Sequence, residues 1–175
     1  MTPPPFASFP AFSSAIEILP SGQAARIRTS FSAARLDPQH ELEAADALRL
    51  REFSDGLAYT GYLWDFLADK RVVREHELWE IIDSLDYVQV MWDLHSVDRV
   101  RIPNYFRFPR GTVISAPPHV IRRGLEYLPE DLYLFDSTYN WAAALTHEYL
   151  DDTRFCLWSG GEPERTSRSI GDQQA

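Results

Sequence analysis

The chain has one cysteine, one lysine, and no apolar run approaching the ~18 consecutive residues that a membrane-spanning helix needs. A lone Cys156 cannot close an internal disulfide, so a hydrophobic core has to hold the fold without covalent help. It falls within an apolar alternation and reads as a small buried residue, not a nucleophile. With Lys70 the only lysine, the other sixteen basic residues are arginines, a composition expected of a GC-rich bacterial genome. The first twenty residues have no basic opening and are broken by Pro3, Pro4, Pro5, Pro10 and Pro20. They make a poor secretory signal, and a cytoplasmic protein is expected.

The familiar catalytic and cofactor signatures are missing too. His40, His76, His95, His119 and His147 form no HExxH and have no close cysteine partner, so the common zinc arrangements are excluded. GxSxG, GxGxxG and GxxxxGK[ST] are absent, which argues against a nucleophile elbow, a dinucleotide fold and a phosphate cradle. No cofactor and no metal are expected.

The chain is nevertheless well supplied for folding. Its 175 residues are 45% hydrophobic and 13% aromatic, enough for one self-standing core. The net charge of −9 and pI near 5.0 oppose direct nucleic-acid binding and anionic membranes, and favour a basic protein as partner. Charge is also segregated. Residues 36–98 carry fifteen acids against five bases, residues 99–123 carry six arginines and no acid, and residues 124–153 carry seven acids and no base.

The periodicity divides the chain. Residues 1–22 are rich in Pro, Ser and Phe without a repeat and read as a flexible N-terminal segment, either mobile or draped over the domain, with room for one short strand. Gln23–Leu36 fits either a strand, with Ile27, Thr29 and Phe31 on one side, or a helix. Helical spacing then predicts a helix from Asp37 and Pro38 to Phe53, a second over Leu57–Leu67, and a third over Lys70–Leu85. From Tyr87 the period changes to two, with Val88, Val90, Trp92 and Leu94 alternating against Tyr87, Gln89, Met91 and Asp93. Val97–Ile102 is expected to pair with that strand, Thr112–Ser115 to form a short strand, and Pro117 and Pro118 to open a helix closed by Pro129. Asp131–Gly160 reads as a three-stranded meander, and 161–175 as a disordered tail. The whole is α+β: N-terminal helices packed on a mainly antiparallel sheet, one domain over residues 23–160.

Two sets of residues are candidates for function. Asp93 and His95 share a strand face, and His147 and Glu148 end the central meander strand. If the two strands are neighbours, these four could form a carboxylate and imidazole cluster that binds a metal or does acid/base work, the alternative to a binding protein being a metal-dependent or acid/base enzyme. The second set is a surface. Asp131, Asp136, Tyr139, Trp141, Glu148 and Asp151 combine aromatics with carboxylates, which suits a basic protein partner. Alternation puts Trp141, Ala143, Leu145 and His147 on one face of the strand and Ala142, Ala144, Thr146 and Glu148 on the other. The belt of Arg99, Arg101, Arg107, Arg110, Arg122 and Arg123 reads as solvated or paired with the acidic segments.

The run LPEDLYLFDSTYNWAAALTHEYLDDTRFCLWSG, residues 128–160, resembles the closing meander of small bacterial proteins that include immunity proteins encoded beside secreted toxins. The shared features are the LPED opening, the aromatic FD, the Trp that starts the next strand and the THE at its end, with DYVQVMWDLHS as a second element. The resemblance covers about a fifth of the chain. It implies a non-enzymatic binding protein and carries over no site residue.

Overall fold

The computed structural model describes residues 4–38, 62–94 and 107–163. Seven strands make one fully antiparallel sheet, confirming the α+β class. In chain order they are β1 (Glu17–Ile18), β2 (Lys70–Arg74), β3 (Val88–Met91), β4 (Ile114–Ala116), β5 (Leu132–Phe135), β6 (Trp141–Leu150) and β7 (Thr153–Gly160). They lie in the spatial order β1-β4-β3-β5-β6-β7-β2. Among the described residues the α-helices are α1 (Phe9–Ser13), α2 (Ser21–Arg35), α3 (Glu75–Ile82) and α4 (Pro118–Arg123).

Because side chains alternate along each strand, neighbouring strands build rows that belong to one face or the other. Val90, Leu134, Ala143 and Trp158 lie side by side on the first face, and Met91, Tyr133, Ala144 and Leu157 on the second. Both faces are covered. The first packs against Phe12 of α1, Leu78, Trp79 and Ile82 of α3, and Val120 and Ile121 of α4. The second packs against Ala24, Ile27 and Phe31 of α2 and against Leu63 and Leu67. The small Ala142 and Ala144 leave room for Phe31, whose ring sits 4.7 Å from that of Phe135 and 6.0 Å from that of Tyr133.

Local chemistry explains most element boundaries. Ser8 caps α1 by accepting the Ala11 N–H, with Pro10 in the first turn. The Glu77 carboxylate accepts the Arg74 N–H at 3.0 Å and starts α3. Pro118 stands at the head of α4, and a 3₁₀ turn over Leu125–Tyr127 follows it.

Several expectations are corrected. Gln23–Leu36, left open between strand and helix, is helical as far as Arg35, because Ala24, Ile27 and Phe31 recur at a helix period and all face the sheet, while Leu36 is extended and bridges Leu67. The helix expected over Lys70–Leu85 begins only at Glu75, since Lys70–Arg74 pairs with β7 from Ser159 to Phe155 as an edge strand. Of the expected Leu57–Leu67 helix, the described part is a 3₁₀ turn, Leu63–Phe66. The short strand near Thr112 starts two residues later, at Ile114.

The N-terminal segment carries α1 and the one short strand allowed for it, β1. It is anchored by Phe9 and Phe12, whose rings meet Tyr127, by Phe9 against Phe108, and by Phe6 against Phe12. The helix expected after Pro38, the strand Val97–Ile102 and the tail beyond Pro163 lie outside the described residues.

Candidate functional site

Period-two alternation carries polar groups to one end of the second face. Asp93 stands two residues beyond Met91 of β3, and Asp131 two residues before Tyr133 of β5, so both carboxylates continue the Met91–Tyr133 row. Both are buried, at 0% and 1% exposure. One Asp93 oxygen accepts the Leu63 N–H at 3.1 Å, and the other accepts the Tyr133 hydroxyl at 2.8 Å. The Tyr133 oxygen in turn accepts the Trp64 N–H at 3.0 Å. From α2, Arg28 reaches the same end: its Nη2 donates to the Trp92 carbonyl at 2.8 Å, while its Nη1 is buried without a partner.

This surrounding shifts the protonation of each group. Burial pushes the Asp93 carboxyl up to about 7. The Tyr133 and Leu63 hydrogen bonds and the Arg28 charge oppose that rise, and the Asp131 charge adds to it. Tyr133 is held well above the ordinary tyrosine range, chiefly by burial and then by the Asp93 charge. Burial lowers Arg28.

Beside this group lies a second one. Asp131 accepts both the backbone N–H and the Nδ1 of His147, at 3.0 Å and 2.9 Å. That contact orients the imidazole with Nε2 turned away from the acid, and the Tyr62 ring lies against it at 5.1 Å.

The proposed cluster of Asp93, His95, His147 and Glu148 is therefore rearranged. Asp93 and His147 do reach the same sheet end, but Asp93 is bonded to Tyr133 of β5 and His147 to Asp131 just before it. Glu148 is exposed, and His95 lies outside the described residues. The sequence does not single out Arg28 or Tyr133; the Asp131–Tyr133 spacing points to Tyr133, and Arg28 reaches the site from α2 with no local signal. Among the described residues no group of three or more His, Cys, Asp or Glu could hold a metal ion.

The surface set divides in the same way. Asp131 is buried under His147, and Trp141 is a core residue stacked on Trp158, with its Nε1 donating to Asp136 at 2.6 Å. Neither can serve as an exposed anchor: Asp131 is taken up by His147, and both faces of β6 are covered at Trp141 and Ala142. Asp136 also accepts the Thr138 N–H and hydroxyl, and Tyr139 stacks on Phe135. Glu148 and Asp151 are exposed.

Those two residues belong to a projecting arm. β5 pairs with β6 only from Phe135 opposite Ala142 to Leu132 opposite Leu145, and β2 with β7 only as far as Arg74 opposite Phe155. Thr146–Arg154 continues past both neighbours as a two-stranded hairpin. Its pairing slips between Leu145 and Tyr149, a bulge that redirects the strand. Its turn is Asp151–Asp152, both at positive φ (49° and 60°), as a type I′ turn requires.

Its base is fastened by Arg154, which donates to the Thr146 and Glu130 carbonyls, each at 2.7 Å, and by the Thr146 hydroxyl to the Phe155 carbonyl at 2.7 Å. Its tip exposes Tyr149 and Leu150, 64% and 69% accessible, among Glu148, Asp151 and Asp152. A further acidic surface lies between α3 and the segment after β7, where Glu77, Glu80 and Glu162 line an open depression of about 300 Å³ together with Ile81, Ser84 and Pro163.

The arginine belt is largely engaged within the fold. Arg107 lies over Phe9 at 4.4 Å and Arg123 over Phe6 at 4.3 Å, while Arg122 meets Asp83 at 3.4 Å and lies over Trp79. Arg99 and Arg101 lie outside the described residues. Cys156 is buried, and its thiol is pushed up to about 12, first by burial and then by the Glu75 charge. It is no nucleophile at neutral pH. Among the described residues no helix is long and apolar enough to cross a membrane.

No protein-family model matches the chain, and neither the curated proteins nor the solved structures give a significant match.

Proposed function

We propose that this chain is a non-enzymatic cytoplasmic binding protein of the immunity type, which covers a basic partner such as a nuclease-like toxin with the β6–β7 arm. The observation that carries this reading is the arm tip, where Tyr149 and Leu150 stand exposed among three carboxylates on a hairpin whose base is fastened. Large side chains held on a rigid support lose little entropy on binding, and surrounding charge steers an oppositely charged partner. The net charge of −9 and the acidic outer side of α3 add to that steering.

The test is affinity capture from the source lysate with the wild type and a Tyr149→Ala/Leu150→Asp variant. A basic protein held by the wild type, released by salt and lost with the variant supports the reading. Equal retention by both excludes the arm.

The Asp131–His147 pair supports a second reading, an acid/base enzyme in which the buried carboxylate orients the imidazole as a general base. Hydrolysis of activated esters or phosphate esters that disappears in His147→Gln, while partner capture persists, would favour it. No turnover in either protein would dismiss it.

A further inference from the structure

The arm joins the sheet through an irregularity larger than an ordinary bulge. Leu145 pairs with Cys156 and the next pair is Tyr149 with Arg154, so Thr146, His147 and Glu148 stand opposite Phe155 alone. Three residues against one take the backbone out of register. The N–H and C=O groups of this stretch thereby lose the partners that a regular ladder would give them, and groups left unpaired in a buried place cost stability.

Side chains supply what the ladder does not. The Thr146 carbonyl accepts the Arg154 Nε–H at 2.7 Å, and the His147 N–H donates to Asp131 at 3.0 Å. The Glu148 N–H donates to the Thr146 hydroxyl at 3.2 Å, while that hydroxyl donates to the Phe155 carbonyl at 2.7 Å. Arg154 reaches on through Nη2 to the Glu130 carbonyl at 2.7 Å, so the outgoing strand, the returning strand and the approach to β5 meet on one guanidinium. Thr146 and Asp131 are buried, where water competes little for these bonds.

We propose that Thr146 and Arg154 are positioning residues for partner binding: together with Asp131 they lock this bulge into a fixed elbow that aims the arm. The inference rests on the reading of the arm as the contact surface. A locked elbow gives Tyr149 and Leu150 one direction before the partner arrives, so binding does not have to order the arm first.

The chemistry of the elbow selects the variants. Thr146→Val keeps the shape of the side chain but strips the Phe155 carbonyl and the Glu148 N–H of their partner together, whereas Thr146→Ser keeps the hydroxyl and both bonds. Arg154→Met keeps an unbranched stem and removes both guanidinium bonds. It also removes a positive charge beside a surface meant for a basic partner, a change that on charge grounds alone favours binding. Weaker binding by Arg154→Met therefore reports the loss of aim.

Backbone ¹⁵N relaxation of the free, full chain reads the elbow without any partner. Order parameters of the Tyr149 and Leu150 amides should be about 0.85 in the wild type and Thr146→Ser, and below about 0.6 in Thr146→Val and Arg154→Met, with Ala143 at the centre of the sheet unchanged in all four. A mobile arm in the wild type, or a rigid one in both disrupted variants, overturns the elbow. If Thr146→Val does not fold, Arg154→Met decides. The basic protein captured by the wild type is then titrated against each variant, and its dissociation constant should rise at least about tenfold where the arm is mobile and stay within about twofold for Thr146→Ser. Equal affinity in a variant whose arm is mobile overturns the positioning role. A wild type that holds no protein counts against the arm as a contact surface, and the order parameters still decide the elbow.

Discussion

The indole rings of Trp141 and Trp158 lie nearly parallel, 5 degrees from coplanar in tilt and 5.0 Å between centroids, on adjacent strands at the centre of the first face. Each also spends its one donor within the fold, Trp141 on Asp136 and Trp158 on the Gly161 carbonyl. The pair joins the two long strands on the side that α3 closes.

Trp141→Ala should accordingly lower stability by about 3–5 kcal/mol, the range for emptying an aromatic site in a core. Urea unfolding at neutral pH measures this. A loss below about 1 kcal/mol would mean that Trp141 is not packed as described.

Gly124 faces Phe12 so closely that a Cβ placed there would stand 2.2 Å from the ring. Gly124→Ala should destabilise by about 1–3 kcal/mol through overpacking. Adding Phe12→Leu should recover part of that loss in thermal unfolding, because the shortened side chain vacates the clash.

Both arm-turn residues are non-glycine at positive φ, a conformation in which Asn-Gly is the preferred pair for a two-residue hairpin. Asp151→Asn together with Asp152→Gly should raise stability by about 0.5–1 kcal/mol. The same double variant removes two carboxylates from the tip, so partner capture should weaken while the melting temperature rises. Those opposite signs distinguish a contact role from a folding role.

Asp93 binds its proton more tightly in the folded chain than in the unfolded one, since burial raises it from 3.8 to about 7. Its contribution to stability is fully present below pH 3.8 and is lost as pH rises toward 7. Tyr133→Phe removes a hydrogen bond that opposes the rise, so the folded value should climb and the loss should extend to higher pH. Denaturant midpoints from pH 4 to pH 9 for the two proteins measure the displacement. Coincident curves would show that the hydroxyl does not influence the acid.

Cys156 should resist thiol reagents in the native protein at pH 8 and react fully in denaturant, because its thiol is buried and raised to about 12. Rapid native labelling would place the thiol at the surface and contradict the packing of β7.

The meander was legible almost residue by residue. LYLF and WAAAL are short apolar runs bounded by turn residues, and the turns STYN and DD are short enough to force antiparallel neighbours. Other elements were decided by distant partners. Gln23–Leu36 satisfies a period of two as well as one of 3.6, and only the sheet waiting for Ala24, Ile27 and Phe31 selects the helix. Lys70–Arg74 has two valines among three charges, a weak strand signal that becomes a strand through pairing with Cys156 and its neighbours.

Exposure was harder to read than secondary structure. Alternation divides β6 into two faces but cannot say that both are covered, so Trp141 and Asp131 looked available for contact when they are not. The meeting of Asp93 with Tyr133 and Asp131 needs one fact that the chain does not spell out, that β3 lies beside β5. Given that adjacency, the period of two assigns all three to one face.

The strand order also constrains how the chain reaches this state during synthesis. β1 and β2, the first strands made, are the two outer edges of the sheet, and every strand between them is made later. Glu17 has to wait for Ser115, and Lys70 for Ser159, before either finds its backbone partner. A nascent chain halted before residue 153 thus holds Val72 and Val73 in a segment with no strand to join. Premature termination near the end of the message would leave an unpaired strand open to chaperones and to aggregation, although most of the polypeptide had been made.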